Sequence, residues 1–170
     1  MKKLRILLVE DNLASIESCM EQFKSHEVVV AKTCMELLKG INAFYHYDLI
    51  LSDMNIPMGE GKGFDVLKYN EKGSQWVAGM AVAMLAMQLG KPCCIVTDSS
   101  GHRDVFGLLI ENISPYGIYG PRKEGEDIFN PSKPMVTIQT GPEWIDTKLG
   151  KGKDWLAEVR RSPWAELLKP

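Results

Sequence analysis

The sequence predicts an α/β fold in which helices cover both faces of a parallel β-sheet. In the first third of the chain, short apolar runs alternate with segments of helical periodicity. A strand-helix-strand-helix-strand order is typical of parallel, doubly wound sheets. The first strand is apolar almost throughout, as expected for a strand that is buried on both faces. With 170 residues, 45% of them hydrophobic and 25% charged, the chain has the size and composition of one globular domain.

Three strands and two helices are expected in the first 52 residues. The strands cover residues 4–9, 27–31 and 49–52, and the second of them is short and β-branched. The first helix is capped by Asn12 or Ser15 and ends near Lys24, and the second covers residues 34–43. Apolar side chains line one side of each helix, namely Ile16, Met20 and Phe23 in the first and Met35, Leu38 and Ile41 in the second.

The chain continues with elements that complete the alternation and then becomes irregular. A helix at residues 75–89 is followed by a strand at 92–97, in which Cys93 and Cys94 should face opposite sides of the sheet. A further helix is expected at 104–113. Prolines and glycines break any helix over 114–134, and residues 116–119 and 135–139 are expected to form two strands of a hairpin-like excursion. The last helix covers 154–161, and after Pro163 it continues at 164–168.

The composition argues against binding to nucleic acid or to a membrane. The formal net charge of −2 gives no global attraction to polyanions. The longest apolar segment, residues 76–89, is too short to span a bilayer, and the basic N-terminus leads into a strand rather than a signal peptide. The four cysteines lack metal-binding spacing, which is typical of buried thiols in a reducing compartment. We therefore expect a single cytoplasmic domain that comprises residues 1–170.

Acidic residues follow two of the predicted strands at the point where each strand ends. Glu10 and Asp11 come after the first strand, and Asp53 comes after the third. The carboxyl ends of parallel strands share one edge of a sheet, where ligands usually bind. Three carboxylates at one edge repel each other unless a cation lies between them, and oxygen ligands suit Mg²⁺. An aspartate beside such a metal can act as a nucleophile towards phosphorus.

Two motifs give the chain a family resemblance. Residues 5–12 (RILLVEDN) and 48–57 (DLILSDMNIP) resemble the first and third strands of a response-regulator receiver domain. This resemblance implies a flavodoxin-like, five-stranded sheet with the strand order 2-1-3-4-5. It also implies that Glu10, Asp11 and Asp53 hold Mg²⁺ and that Asp53 accepts a phosphoryl group from a histidine kinase.

Further site residues follow from the resemblance. Asn55 is included in the predicted metal set, and it lies where receivers control the access of water to the phosphoryl group. The carbonyl of Met54 is the usual metal ligand of the family. Thr97 ends the strand that corresponds to the fourth, where the family hydrogen-bonds the phosphoryl group. Because Thr97 lies further from Asp53 than in the family, we interpret residues 70–90 as an inserted or elongated helix and 114–140 as an irregular insertion.

The lysine that receivers place at the end of strand 5 is not obvious in this sequence. Residues 141–148 (GPEWIDTK) are similar to the family pattern at strand 5, which favours Lys148. Lys133, Lys123 and the absence of any equivalent remain as alternatives, and Trp144 or Ile145 would be the switch residue. We interpret a basic cluster near the C-terminus as a solvated face; its members are Lys151, Lys153, Arg160 and Arg161.

The resemblance implies a stand-alone response regulator with Mg²⁺-dependent phosphoryl acceptance on Asp53. Its expected partners are a histidine kinase or phosphotransfer protein and a downstream protein, so the chain is expected to signal rather than to turn over a substrate. One alternative is a pseudo-receiver that keeps the fold as a protein-interaction module but has lost phosphorylation. Another is a metal-dependent phosphohydrolase, although Asn55 stands where such enzymes often carry a second acid.

Overall fold

A computed structural model describes residues 2–57, 59, 75–76, 78–97, 136–140, 145–146 and 152–169. The strands are β1 (Arg5–Val9), β2 (Glu27–Ala31), β3 (Leu49–Ser52), β4 (Ile56–Pro57), β5 (Gln75–Trp76), β6 (Cys93–Thr97), β7 (Val136–Thr140), β8 (Ile145–Asp146) and β9 (Gly152–Lys153). The α-helices are α1 (Leu13–Gln22), α2 (Cys34–Lys39), α3 (Ala78–Gln88) and α4 (Trp155–Arg161). Two 3₁₀ helices cover Ile41–His46 and Pro163–Leu168.

Five strands form one parallel sheet with the order β2-β1-β3-β6-β7. All four pairings in this sheet are parallel. Numbered by their place in the chain among these five strands, they lie in the order 2-1-3-4-5. The predicted doubly wound α/β fold and its strand order are therefore confirmed. Two short antiparallel pairs, β4 with β5 and β8 with β9, lie outside the main sheet.

Helices cover both faces of the sheet, and each face has its own hydrophobic core. On one face, α2, the first 3₁₀ helix and α3 contribute apolar side chains that pack on Leu7, Ile50 and Cys93. On the other face, α1 and α4 pack on Leu8, Leu51 and Cys94. Successive strand residues thus enter opposite cores, because side chains alternate across a sheet. The opposite placement of Cys93 and Cys94 is confirmed, and buried strands explain the nearly continuous apolar runs.

The helix boundaries follow from their capping residues. The side chain of Asn12 accepts a hydrogen bond from Ser15 N, and Thr33 caps α2 through Glu36 N. At Gly40 the α-helical part ends and the 3₁₀ helix begins, so the predicted helix over 34–43 is two elements. Two predicted core residues are exposed instead, Met20 at 47% and Leu38 at 45%, because the helices turn other positions inward. The inward positions include Ile16 and Cys19 in α1 and Phe23 at its C-cap.

The fifth strand corrects two expectations. Residues 136–140 pair in parallel with β6 and form the edge of the sheet, so they are not half of a hairpin-like excursion. Strand 5 consequently ends at Thr140, before the segment 141–148 in which we expected it. The motif at 141–148 was misleading because local similarity does not report which apolar run completes a sheet. The predicted helix at 104–113, the strand at 116–119 and most of the insertion at 114–140 lie outside the described residues.

Helix α3 is the described part of the helix predicted at 70–90. It packs on the sheet with Val82, Ala83 and Ala86 buried. Gly79 in its first turn lies directly against the chain that follows β3: a Cβ atom there would lie 2.7 Å from Asp53 O and 2.7 Å from Met54 Cα. Gly79 N also donates a hydrogen bond to Met54 O at 3.0 Å. No helix in the described ranges is both long and apolar enough to cross a membrane.

We expect Gly79→Ala to lower the free energy of unfolding by about 1–3 kcal/mol, because the added methyl group must displace backbone atoms rather than a flexible side chain. Gly40→Ala is the matched control, since a Cβ at Gly40 meets its nearest atoms at 3.6 Å, an ordinary contact distance. Urea denaturation of both variants and the wild type measures the difference. Equal stabilities of the two variants would show that α3 does not pack this closely on the chain after Asp53.

Candidate functional site

The acidic residues predicted from the sequence meet at the carboxyl edge of the sheet. Glu10 follows β1, and its backbone N donates a hydrogen bond to Ala31 O of β2. Asp53 follows β3, and its backbone N donates to Val9 O of β1. These two bonds extend the ladder of the sheet by one residue and fix the direction in which both side chains leave it. Glu10, Asp11 and Asp53 each offer a carboxylate oxygen, and these oxygens all lie within 4.8 Å of one another.

Lys153 is the cation that the structure brings to this cluster. Its Nζ lies 2.7 Å from Glu10 Oε2 and 2.8 Å from Asp53 Oδ1. All three residues are buried, with Lys153 5%, Glu10 1% and Asp53 7% exposed. The interpretation of Lys153 as part of a solvated basic face is therefore wrong, whereas Arg160 and Arg161 are exposed as expected. Sequence analysis missed Lys153 because it lies one residue before the N-cap of α4, in the two-residue strand β9, and not at the end of a strand of the main sheet.

One carboxylate of the cluster also accepts a hydrogen bond from the backbone. Glu10 Oε1 accepts a hydrogen bond from Asn12 N at 3.0 Å, so Glu10 joins the start of α1 to Lys153. Asp53 Oδ1 is buried and lies 2.8 Å from Lys153 Nζ in an ion pair. A carboxylate oxygen carries two lone pairs, so this contact leaves acceptor capacity on Asp53 Oδ1. Such an oxygen can still bind a cation or attack an electrophile.

Burial changes the proton affinity of the ionised groups. Burial raises the pKa of Glu10 to about 7; Lys153 opposes this change, and the nearby charge of Asp53 adds to it. Burial disfavours the ammonium form of Lys153, but the charges of Glu10 and Asp53 outweigh this effect and raise the pKa of Lys153. At neutral pH the ammonium group is therefore charged, and Glu10 keeps a proton to a higher pH than an exposed glutamate does.

The other predicted site residues are placed less completely. Asn55 is half-buried and lies two residues beyond Asp53. The side chain of Met54 is in the core, and its carbonyl accepts the hydrogen bond from Gly79, so this carbonyl is engaged with α3. Thr97 is the last residue of β6, which brings its backbone to the same edge of the sheet as Asp53. Five residues named from the sequence lie outside the described residues: Lys123, Lys133, Trp144, Lys148 and Lys151.

The donor set fits a hard divalent cation. Three carboxylates on adjacent strand ends supply only oxygen ligands, which Mg²⁺ prefers, and they leave room for further ligands from water or substrate. The geometry would let Glu10, Asp11 and Asp53 share such an ion. Because Lys153 supplies one positive charge to the same carboxylates, a divalent cation there would meet a smaller net negative charge than three acids alone present.

Comparison with solved structures identifies the fold. A signal receiver domain of an HD domain-containing protein from Pseudomonas fluorescens Pf-5 is similar over 99% of this chain and 100% of its own, with 14% identity and a TM-score of 0.52. The chemotaxis response regulator CheY4 of Vibrio cholerae matches 59% of this chain and 72% of its own, with 18% identity and a TM-score of 0.42. No family model and no curated protein matches the sequence. The protein has the fold of a response-regulator receiver domain, and the predicted resemblance is confirmed as a divergent one at the level of the fold.

Removing the ammonium group should destabilise the fold. We expect Lys153→Met to lower the free energy of unfolding by about 3–5 kcal/mol at neutral pH, because two buried carboxylates lose their cation. Lys24→Met is the matched control: Lys24 forms an exposed ion pair with Glu21, and its loss should leave stability almost unchanged. Urea denaturation without divalent cations tests both variants. Similar small effects would contradict the burial of Lys153.

The pKa of Glu10 should make stability depend on pH. Unfolded Glu10 loses its proton near its ordinary pKa of 4.5, whereas folded Glu10 keeps it until about pH 7. Between these values the folded protein binds more protons, so its stability falls as pH rises. Relative to Glu10→Gln, the wild type should lose up to about 3 kcal/mol between pH 4.5 and 7. Denaturation with a chelator present measures this difference, and parallel pH profiles would contradict it.

Proposed function

We propose that this protein is a receiver in two-component signalling and that Asp53 accepts the phosphoryl group. One observation carries the proposal: Asp53 is held at the carboxyl edge of a receiver-type sheet, within reach of two other carboxylates and 2.8 Å from a buried ammonium group. An acid in a plain capping role would not need a buried lysine beside it. The arrangement instead concentrates the positive charge that a phosphoryl group requires.

The proposed step is a displacement at phosphorus. An oxygen of Asp53 forms a bond to the phosphorus atom while the bond between phosphorus and the donor's leaving atom breaks. The electron pair of the broken bond leaves with the departing group, which is the histidine imidazole when the donor is a phosphohistidine of a partner protein, or acetate when the donor is acetyl phosphate. When bound, Mg²⁺ supplies positive charge to the phosphoryl oxygens during transfer. Glu10 and Asp11 would hold it with Asp53, and Asn55 is the further residue that we propose for this set.

Lys153 can supply the ammonium group that receivers place at the end of strand 5, which we could not identify from the sequence. Its ammonium group already contacts the acceptor carboxylate, and it can move to the phosphoryl oxygens that Asp53 gains, where it acts as a point charge. We therefore propose Lys153 in this role, for which Lys148 was the candidate from sequence. Thr97 remains the proposed hydroxyl donor to the phosphoryl group, since it ends the strand next to β3.

The proposed partners follow from this chemistry. A histidine kinase or a phosphotransfer protein would deliver the phosphoryl group, and a downstream protein would recognise the phosphorylated state. The proposed location is the cytoplasm, where such donors work. Phosphorylation would then act by shifting the protein between two conformations, one of which is favoured by the new charge at the edge of the sheet.

A second function is supported by a specific observation. Lys153 already bridges Glu10 and Asp53, so its ammonium group offsets part of their negative charge without a metal ion or a phosphoryl group. A protein-interaction module that keeps the receiver fold without phosphorylation would have this same closed arrangement. The two functions differ in whether Asp53 reacts.

We expect the wild type to gain one phosphate during incubation with Mg²⁺ and acetyl phosphate, and we expect Asp53→Asn to gain none. Asp48→Asn is the matched control, because Asp48 precedes the same strand at the opposite edge of the sheet, where it contacts Lys2 and Arg5 N. This control should gain the phosphate like the wild type. Intact-protein mass spectrometry gives the readout, with a chelator as a second control.

The competing function makes the opposite prediction. An unmodified wild-type protein, folded by circular dichroism and incubated with Mg²⁺ and the donor, would reject phosphoryl acceptance and favour the interaction module. An adduct that persists in Asp53→Asn would place the reaction at another residue.

A further inference from the structure

We infer that Ser18 and Gln22 of α1 are positioning residues that place the ammonium group of Lys153 at Asp53. This inference rests on the proposed function, because it assigns the residues that set the geometry of the same site. The contact lies between α1 and the segment that leads into α4.

The two side chains hold the backbone of Lys153 from the surface of α1. Ser18 Oγ donates a hydrogen bond to Lys153 O at 2.8 Å, and Gln22 Nε2 donates to the same oxygen at 3.1 Å. Gln22 Nε2 also contacts Ser18 Oγ at 2.8 Å, so the two donors support each other. At its other end, Gln22 Oε1 accepts a hydrogen bond from Leu156 N at 2.8 Å. One side chain thus fixes the chain on both sides of the α4 N-cap.

The neighbouring residues bring this segment unusually close to α1. A Cβ atom at Gly152 would lie 2.5 Å from Ser18 Cβ and 2.7 Å from Ala14 O, so only glycine allows the observed approach. On the other side, the indole Nε1 of Trp155 donates to Ser15 O at 3.1 Å. The Trp155 ring also lies 5.3 Å from Lys153 Nζ, which favours the charged form of the lysine. Gly152 and Trp155 therefore keep the backbone of Lys153 within hydrogen-bond distance of Ser18 and Gln22.

The contact with α1 fixes the backbone of Lys153, whereas the ladder of the sheet fixes the backbone of Asp53. β7 ends at Thr140, and residues 141–151 separate it from Gly152, so the ladder of the main sheet does not fix the position of Lys153, whose strand pairs with the two-residue strand β8. Ser18 is buried and Gln22 is half-buried, which is unusual for polar residues on the inward side of a helix. Their polarity is explained by the carbonyl that they hold. Loosening this contact should leave Lys153 in the protein but let its ammonium group move away from Asp53.

The test uses a double-mutant cycle in the full chain. The rate of phosphate incorporation from acetyl phosphate at fixed Mg²⁺ is measured for Gln22→Ala and Ser18→Ala, each in the wild-type and in the Lys153→Met background. Glu21→Ala is the matched control, because Glu21 is exposed on the same helix and pairs with Lys24. A second readout is the acylation rate of the Lys153 amine, measured by peptide mapping and compared with that of Lys24.

We expect Gln22→Ala and Ser18→Ala to slow phosphate incorporation by roughly threefold to tenfold, and Glu21→Ala to leave it unchanged. In the Lys153→Met background the same substitutions should change the rate by less than about twofold, because the group that they position is gone. The amine of Lys153 should become acylated roughly threefold to tenfold faster in the two variants. If Gln22→Ala does not fold, Ser18→Ala, which removes one oxygen atom, decides the question.

Several outcomes would overturn the inference. An equal loss of rate in both backgrounds would mean that Ser18 and Gln22 act only on general stability. Unchanged acylation of Lys153 would mean that they do not hold its position. If the wild type gains no phosphate at all, the proposed function fails, and the acylation rates alone decide whether α1 positions Lys153.

Discussion

Glu10 and Asp53 are two buried acids a few ångströms apart, and the carboxyl edge of this sheet depends on the ammonium group that joins them. Taking a carboxylate out of water costs several kcal/mol, and a second carboxylate nearby adds repulsion. Lys153 offsets both effects with two contacts shorter than 3 Å. The pKa of Glu10, raised to about 7, shows that the compensation is incomplete. The site therefore retains some affinity for an additional proton or cation.

The sheet and the helices supply this site by different means. Hydrogen bonds that continue the parallel ladder direct Glu10 and Asp53 to the edge, so the positions of the acids follow from the register of β1, β2 and β3. The position of Lys153 follows instead from side chains of α1. Helix α1 thus contacts both members of the ion pair. The backbone N of its N-cap residue Asn12 donates a hydrogen bond to Glu10, and side chains of its later turns hold the backbone of Lys153.

Tight packing around Asp53 limits how this region can move. Met54 and Ile56 are buried in one core, and Gly79 brings α3 against the carbonyl of Asp53. A change in charge at Asp53 would therefore act on packed groups rather than on a solvated loop. Closely packed interiors respond to such a change by switching between discrete arrangements rather than by deforming continuously.

The sequence by itself determined the first four strands of the sheet and the acids at its edge, because both follow from short-range patterns. Alternating strands and helices specified a parallel sheet, and Glu10, Asp11 and Asp53 lie directly after strands whose ends must share an edge. The site of the lysine was decided only by tertiary structure. Residues 141–151 separate Lys153 from β7, and no local pattern records that Ser18 and Gln22 draw its backbone onto α1. A contact between residues 135 positions apart depends on helix packing, which the sequence pattern does not encode.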